Sequence, residues 1–249
     1  MTRRSIATIS LTLAILSSGM AACISSARSE NSSKPAQTGQ ASALPKERPA
    51  ARQRSGASLT YDFDRFPAGS LPNVMTGTRT GKGALGDWKV LADNTAPSQP
   101  NVLAQLSSDA TDYRFPIAVS NEGAFEDLDA SVKFKAVSGR IDEAGGLVFR
   151  YKDADNYYLV RANALEDNFR LYRVVKGSRS EFAGKNVQVT PNQWHEIKVT
   201  CVGNQISCSF DGKHLINATD DTFKDAGKIG VWTKADSVTY FDDLLVSEK

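Results

Sequence analysis

The stretch that decides the fold is residues 145–175, GGLVFRYKDADNYYLVRANALEDNFRLYRVV. It holds three runs rich in β-branched and aromatic residues, separated by the turn-forming segments KDADN and ALED. Such runs with turn residues between them predict three consecutive antiparallel strands. The pairs Tyr151–Tyr157 and Asn163–Asn168 define the expected register across the two turns.

Successive side chains of a strand point to opposite faces of the sheet, so this register predicts two faces of different character. The expected core face holds Val148, Tyr158, Val160, Ala162, Phe169, Leu171 and Val175. The other face mixes aromatic rings with Arg and Asn donors and is expected to line an open groove; it holds Phe149, Tyr151, Tyr157, Arg161, Asn163, Arg170 and Tyr172. A slip of one residue would exchange the two faces, so the functional inferences depend on the register.

The first 57 residues predict an export signal followed by a tether. Arg3 and Arg4, a short apolar run and the sequence MAAC indicate a signal peptide over residues 1–22. MAAC resembles the lipobox of bacterial lipoproteins, which implies lipidation of Cys23; the alternative is ordinary secretion with a free cysteine. In a Gram-negative cell, Ile24 rather than Asp after the cysteine suggests that the exported, lipid-anchored protein lies at the outer membrane and faces the periplasm. Residues 23–57 have few large apolar side chains and predict a disordered tether.

Residues 58–249 are long enough for one large domain with its own core. Short alternating segments recur through this range between clusters of Gly, Asp, Asn and Pro, and no long helical pattern interrupts them. This arrangement predicts an all-β sandwich or jelly roll of two antiparallel sheets. The last segment, VTYFDDLLV, is expected to pair with the first, LTYDF. A net charge of only +2 argues against a nucleic-acid partner.

Three motifs carry a family resemblance: GGLVFRYKDADNYYLVR, WHEIKVTCVGNQISCSFDGKHL and GKIGVWTKADSVTYFDDLLV, with a weaker match in LTYDFDRFPAGSLP. They resemble the concanavalin A-like jelly-roll domains of bacterial secreted proteins. That group includes laminin-G-like modules and the domain family named for 3-keto-disaccharide hydrolases. The resemblance implies the fold more strongly than an activity, because this sandwich carries many unrelated functions.

The mixed aromatic and polar face predicts a saccharide-binding site for a sugar or a cell-envelope glycan. Aromatic rings cover the C–H patches of sugars, and planar Arg and Asn groups suit their neighbouring hydroxyls. Trp232 is included in the predicted site, with Tyr113 and Arg114 as further neighbours. The structural alternative is a half-buried face on which Arg side chains lie over the rings.

Catalysis is the second hypothesis, since the resemblance to the 3-keto-disaccharide hydrolase family implies glycoside hydrolysis. Hydrolysis of either stereochemistry normally needs two opposed carboxyl groups, and no such pair is evident in the sequence. The two histidines, His195 and His214, do not complete a nucleophile triad. The catalytic residues therefore stay unknown, and a structural envelope lipoprotein without a small ligand is the third hypothesis.

Two further expectations concern a metal and a disulfide. Asp62 and Asp64 in the first strand and Asp242 and Asp243 in the last lie where the chain ends meet, which suits a structural Ca²⁺. A turn at Asn204–Gln205 would place Cys201 opposite Cys208, and either a cross-strand disulfide or two buried thiols would fit.

Overall fold

The computed structural model describes residues 56–249, and all regular secondary structure in that range is β-strand. The predicted signal peptide, Cys23 and residues 23–55 of the predicted tether lie outside the described residues. Within 56–249, the structure has no helix that is long and apolar enough to cross a membrane.

The strands form two antiparallel sheets, as the sequence predicts. The eight-stranded sheet has the order β13-β12-β11-β6-β15-β4-β3, with β1 also paired to β15. Its strands are β1 (Ser58–Tyr61), β3 (Trp88–Ala92), β4 (Asn101–Gln105), β6 (Leu128–Ser138), β11 (Trp194–Val202), β12 (Gln205–Phe210), β13 (Lys213–Thr219) and β15 (Val238–Glu248).

The seven-stranded sheet has the order β10-β9-β8-β7-β14-β5-β2. Its strands are β2 (Met75–Gly81), β5 (Arg114–Ser120), β7 (Ala144–Asp153), β8 (Asn156–Asn163), β9 (Asn168–Val175), β10 (Ser178–Asn186) and β14 (Lys228–Trp232). Residues 145–175 therefore form β7, β8 and β9, which are three neighbouring strands between β10 and β14.

The main core lies between the sheets and takes apolar side chains from both of them. Each strand presents alternate residues to this space, which is why the apolar residues of β6 and β11 recur with a period of two. The predicted pairing of the chain ends is confirmed, because Ser58–Tyr61 lies antiparallel to residues 244–247.

The register of the β8–β9 hairpin is confirmed, with Asn163 opposite Asn168. The predicted register of β7 against β8, with Tyr151 opposite Tyr157, is wrong, because the two strands pair one residue away from it. Phe149 pairs with Tyr158, and residues 150–152 form an irregular stretch in which Arg150 has a φ of 45°. This irregularity breaks the alternation between Phe149 and Tyr151. Phe149 consequently points into the main core and Val148 points away from it, the reverse of the prediction.

The hairpin between β11 and β12 also differs from the prediction. Its two-residue turn is Gly203–Asn204, so Cys201 lies opposite Ile206 rather than opposite Cys208. Gly203 has a φ of 56°, which glycine adopts readily at this turn position. Both thiols are free and buried in the main core, and burial raises the pKa of Cys201 to about 11. The structure therefore has the two buried thiols rather than the disulfide.

Candidate functional site

A second cluster of rings covers the outer face of the seven-stranded sheet, which is the face turned away from the main core. Trp232 from β14 stacks on Phe115 from β5, with the ring centroids 5.4 Å apart. Tyr157 from β8 stacks on Tyr151 from β7 at 5.9 Å. Tyr172 from β9 belongs to the same cluster, so five strands contribute to one aromatic layer.

The Arg179 guanidinium lies over this layer. Its Cζ atom is 4.5 Å from the centroid of the Phe115 ring, 4.7 Å from that of Tyr172 and 5.6 Å from that of Trp232. Cation–π attraction to three rings stabilises this position. Arg179 stands opposite Val174 on β9, so the register of the edge strand β10 directs its side chain to the outer face.

Arg161 from β8 forms the centre of a polar network beside the rings. Its Nη1 donates to Asn168 Oδ1 at 2.6 Å, and its Nη2 donates to Glu166 Oε2 at 2.9 Å and to the Tyr172 hydroxyl at 3.0 Å. Asn168 Nδ2 also donates to Glu166 Oε2 at 2.9 Å. Because Glu166 and Asn168 belong to the β8–β9 turn and strand start, the tight hairpin brings the network together.

Asp142, just before β7, connects this network to the loop after β14. Its Oδ1 accepts a hydrogen bond from Asn163 Nδ2 at 2.8 Å, and its Oδ2 forms an ion pair with Lys234. The backbone at Asp142 is fixed in turn by Asp236, whose carboxylate accepts hydrogen bonds from the N–H groups of residues 140–142. The carboxylates of Asp142 and Glu166 therefore lie in one region with the cations Arg161 and Lys234.

The two carboxylates have pKa values displaced in opposite directions. Burial raises the pKa of Asp142, and the ion pair with Lys234 offsets this only in part. Burial also opposes ionisation of Glu166, but hydrogen bonds from Asn168 and Arg161 outweigh it and lower the pKa of that carboxyl. Glu166 is thus held as an anion at the rim, where its side chain is 43% exposed.

Two guanidinium N–H groups of this face are buried and have no hydrogen-bond partner within residues 56–249: Arg161 Nε and Arg179 Nη1. Buried donors almost always have a partner, so each unsatisfied donor requires an explanation. Two such donors above one aromatic layer mark a place where the acceptor atoms of a ligand or of ordered water would be stabilised.

The structure brings most of the predicted site residues to this face. Tyr151, Tyr157, Tyr172 and Trp232 lie in the ring cluster, and Arg161 and Asn163 lie in the polar network beside it. Phe149 does not belong there, because it is fully buried in the main core and stacks on Tyr158 at 5.3 Å. The predicted ligand contact by Phe149 is therefore wrong.

Arg170 and the neighbours proposed near Trp232 have other roles. Arg170 lies opposite Arg161, but its guanidinium contacts Glu181 at 3.2 Å and Asn186 at 2.7 Å on β10. Arg114 is fully buried and donates to main-chain carbonyls of two loops, including Ala84 O at 2.8 Å. Tyr113 packs its ring edge-on against Phe115.

The prediction of an open groove lined by rings is wrong as stated. Tyr157 and Trp232 are fully buried and Tyr172 is 6% exposed. Arg179 covers Trp232 and Tyr172, and the Tyr157 hydroxyl shares a buried hydrogen bond with the Thr80 hydroxyl at 2.7 Å. The face is a buried aromatic floor under a rim of charged and polar side chains.

Sequence reasoning missed Arg179, Asp142, Lys234 and Glu166 as parts of this face. Arg179 lies on an edge strand, β10, that the sequence pattern does not reveal, since its burial does not alternate. Asp142 and Lys234 lie in loops 92 residues apart in the chain, and only the pairing of β7 with β14 brings them together.

The predicted calcium ligands do not converge. Within 56–249, the structure contains no group of three or more His, Cys, Asp or Glu side chains arranged to hold a metal. Asp64 accepts a hydrogen bond from the Asn101 N–H, Asp242 is bound by Ser98, and Asp243 pairs with Lys133. Protein donors therefore occupy these carboxylates, and Asp62 caps the N–H of Asp64.

No family model matches the chain. A levanase of Bacillus subtilis (strain 168) is 29% identical over 119 residues, which is 47% of this chain and 17% of the levanase. The chain therefore matches only a small part of that enzyme.

Solved structures show the fold. The carbohydrate-binding module CBM66 from Bacillus subtilis aligns with a TM-score of 0.55 and 21% identity, over 69% of this chain and 95% of the module. A β-glucanase from Bacillus licheniformis aligns with a TM-score of 0.50 and 12% identity, over 78% of this chain and 98% of the enzyme. The fold is a concanavalin A-like jelly roll. Its solved neighbours include both a binding module and glycoside hydrolases.

Proposed function

We propose that this protein binds a saccharide at the outer face of the seven-stranded sheet, without cleaving it. The observation that carries the proposal is the pair of buried, unsatisfied guanidinium donors, Arg161 Nε and Arg179 Nη1, above one aromatic floor. Sugar hydroxyl and ring oxygens are acceptors of the kind these donors lack. The levanase match and the CBM66 likeness support a saccharide as the ligand class.

The burial of the rings decides how the ligand is held. Trp232 and Tyr157 present no exposed surface, so affinity is expected to come from hydrogen bonds at the rim rather than from open stacking on these rings. Glu166 and Asn168 supply acceptors and donors next to Arg161, and Lys234 adds a cation. Alternating donors and acceptors suit neighbouring hydroxyls, each of which can donate and accept.

The test is retention of the full chain on a panel of immobilised polysaccharides, including levan, β-glucan and cell-wall glycan. Arg161→Ala is expected to weaken retention by roughly tenfold or more, because it removes the central charged donor. Arg170→Ala is the matched control, since Arg170 lies directly opposite on β9 but contacts β10. If Arg161→Ala does not fold, Arg161→Lys is used instead. This variant keeps the positive charge and removes the planar guanidinium, so weaker retention would be due to the lost guanidinium geometry.

Retention by no saccharide, or equal loss in Arg161→Ala and Arg170→Ala, would contradict the proposal. The first result would favour a structural envelope protein without a small ligand.

Glycoside hydrolysis is the second candidate, and one observation favours it. Asp142 and Glu166 lie near Arg161, and their pKa values move apart, which is a pattern of acid and base pairs. Against it, both oxygens of Asp142 are held, one by Asn163 and one by Lys234. Release of reducing ends from any retained polysaccharide, abolished in Glu166→Gln, would place hydrolysis ahead of simple binding.

We also propose export and lipid attachment at Cys23, with the jelly roll facing the periplasm from the outer membrane. The support is the sequence of residues 1–24. Labelling of cells with radioactive palmitate is expected to mark the wild-type protein and not Cys23→Ala. Equal labelling of both, or release of wild-type protein into the soluble fraction, would contradict the proposal.

A further inference from the structure

Among the described residues, Arg179 has no carboxylate partner, in contrast to the other three cations of the candidate site. Arg161 pairs with Glu166, Arg170 with Glu181, and Lys234 with Asp142. The Nη1 atom of Arg179 is buried with no hydrogen-bond partner in residues 56–249. Asp142 is close enough to act on the pKa of Arg179, but no ion pair joins the two.

Arg179 is half-buried with its Nη1 atom fully buried, and burying a charge without a paired anion is unfavourable because no anion offsets the lost hydration. Burial accordingly lowers the pKa of Arg179, and the neighbouring Arg161 acts in the same direction. The three rings beneath Arg179 offer cation–π attraction, which does not satisfy the hydrogens of its Nη1 atom. The unsatisfied N–H of the guanidinium can therefore donate to an acceptor from outside the described residues.

The position of Arg179 is fixed rather than adventitious. The Tyr113 hydroxyl accepts a hydrogen bond from the Arg179 N–H at 3.2 Å and donates to Gly177 O at 3.1 Å. The Tyr113 ring packs on Phe115, one of the three rings under the guanidinium. One tyrosine thus anchors the start of β10 to β5 and holds the Arg179 side chain above the floor.

We infer that the saccharide bound at this face carries a carboxylate, and that Arg179 is the counter-ion that recognises it. This inference rests on the proposed saccharide function and adds the chemical class of the ligand. A planar guanidinium binds a carboxylate through two parallel N–H···O bonds, which a neutral hydroxyl cannot match. Arg161, which already has Glu166, is left to hydrogen-bond neutral parts of the sugar.

The experiment compares matched acidic and neutral sugars on the full chain. Glucuronate is tested against glucose, galacturonate against galactose, and polygalacturonate against its methyl-esterified form, by calorimetric titration at constant ionic strength. At least one acidic member is expected to bind roughly tenfold or more tightly than its neutral partner. Arg179→Gln is expected to abolish that preference, and Arg179→Lys to keep part of it. Arg170→Gln is the charge-matched control and should leave the preference unchanged.

Four results would overturn the inference. Equal binding of acidic and neutral partners would show that the site does not recognise a carboxylate, while the saccharide function would still be supported. An acidic preference that survives in Arg179→Gln would assign recognition to another residue. Acetate that competes as strongly as glucuronate would indicate a general anion site. Binding of no sugar of either kind would remove the saccharide function together with the inference.

Discussion

The two faces of the seven-stranded sheet are both aromatic and both largely buried, yet they differ in how their polar atoms are satisfied. On the inner face, Tyr158 donates to Asp220 at 2.6 Å and accepts from the Phe223 N–H at 3.1 Å. On the outer face, Arg161 Nε and Arg179 Nη1 lack partners within residues 56–249. The two faces of this sheet therefore differ in their unsatisfied guanidinium donors rather than in their ring content.

The largest expected effect is a loss of folding stability when a ring is removed from the inner face of the seven-stranded sheet. Phe149→Ala removes a ring from the closed inner face and is expected to lower the free energy of unfolding by about 3–5 kcal/mol. Urea unfolding measures this change. Saccharide affinity per folded molecule should stay unchanged, because Phe149 lies in the main core. A stable Phe149→Ala variant that has lost binding would instead show that Phe149 contributes to the ligand site.

A matched pair of hydroxyl deletions sharpens the comparison. Tyr158→Phe leaves the part-buried Phe223 N–H without its acceptor and removes one donor from the Asp220 carboxylate, and it is expected to cost about 1–3 kcal/mol of stability. Tyr172→Phe removes only the acceptor of Arg161 Nη2, which keeps Glu166, so we expect about 0.5–1.5 kcal/mol.

Binding is expected to respond in the opposite order to stability. Tyr172→Phe should weaken saccharide retention and Tyr158→Phe should not, because only Tyr172 contacts the Arg161 network. The two variants, compared by thermal unfolding and by retention on the same saccharide, give both measurements. Equal effects on retention would show that the inner and outer faces do not differ in function.

The smallest expected effect is a pH dependence of folding stability that comes from Glu166 at the rim. The pKa of Glu166 is lowered in the folded protein, so its contribution to stability is present above the unfolded pKa and is lost as the pH falls through the folded value. Because the side chain is 43% exposed, this contribution is at most about 1 kcal/mol.

The measurement is the difference in unfolding free energy between wild type and Glu166→Gln. This difference should be largest near neutral pH and should shrink towards pH 3. A difference that grows as the pH falls would contradict the assigned role of Arg161 and Asn168 in holding Glu166 ionised.

The sequence predicts the two-sheet architecture and the β8–β9 register from local alternation and turn residues. The pairing of β1 with β15 is also predicted correctly, although it joins distant segments. The sequence does not predict the irregular stretch at 150–152, where Arg150 turns inward to Glu126 O and Phe223 O. That tertiary contact reverses Val148 and Phe149 relative to a regular strand.

The candidate site was predictable only in part, for the same reason. Arg161, Asn163, Tyr157 and Tyr172 follow from alternation along β8 and β9. Arg179 and Lys234 reach the face through an irregular edge strand and a loop, and their positions depend on pairings distant in the chain. A local sequence pattern does not specify these pairings.

The most direct measurement follows the side-chain Nε–Hε signal of Arg161 by ¹H–¹⁵N NMR while a retained saccharide is added. If the outer face of the seven-stranded sheet binds the sugar, this signal shifts and gains protection from exchange, because Arg161 Nε acquires an acceptor that it lacks within residues 56–249. The signals around Phe149 should stay in place. An unchanged Arg161 signal, with shifts confined to the eight-stranded sheet around Trp194 and Lys135, would contradict the account.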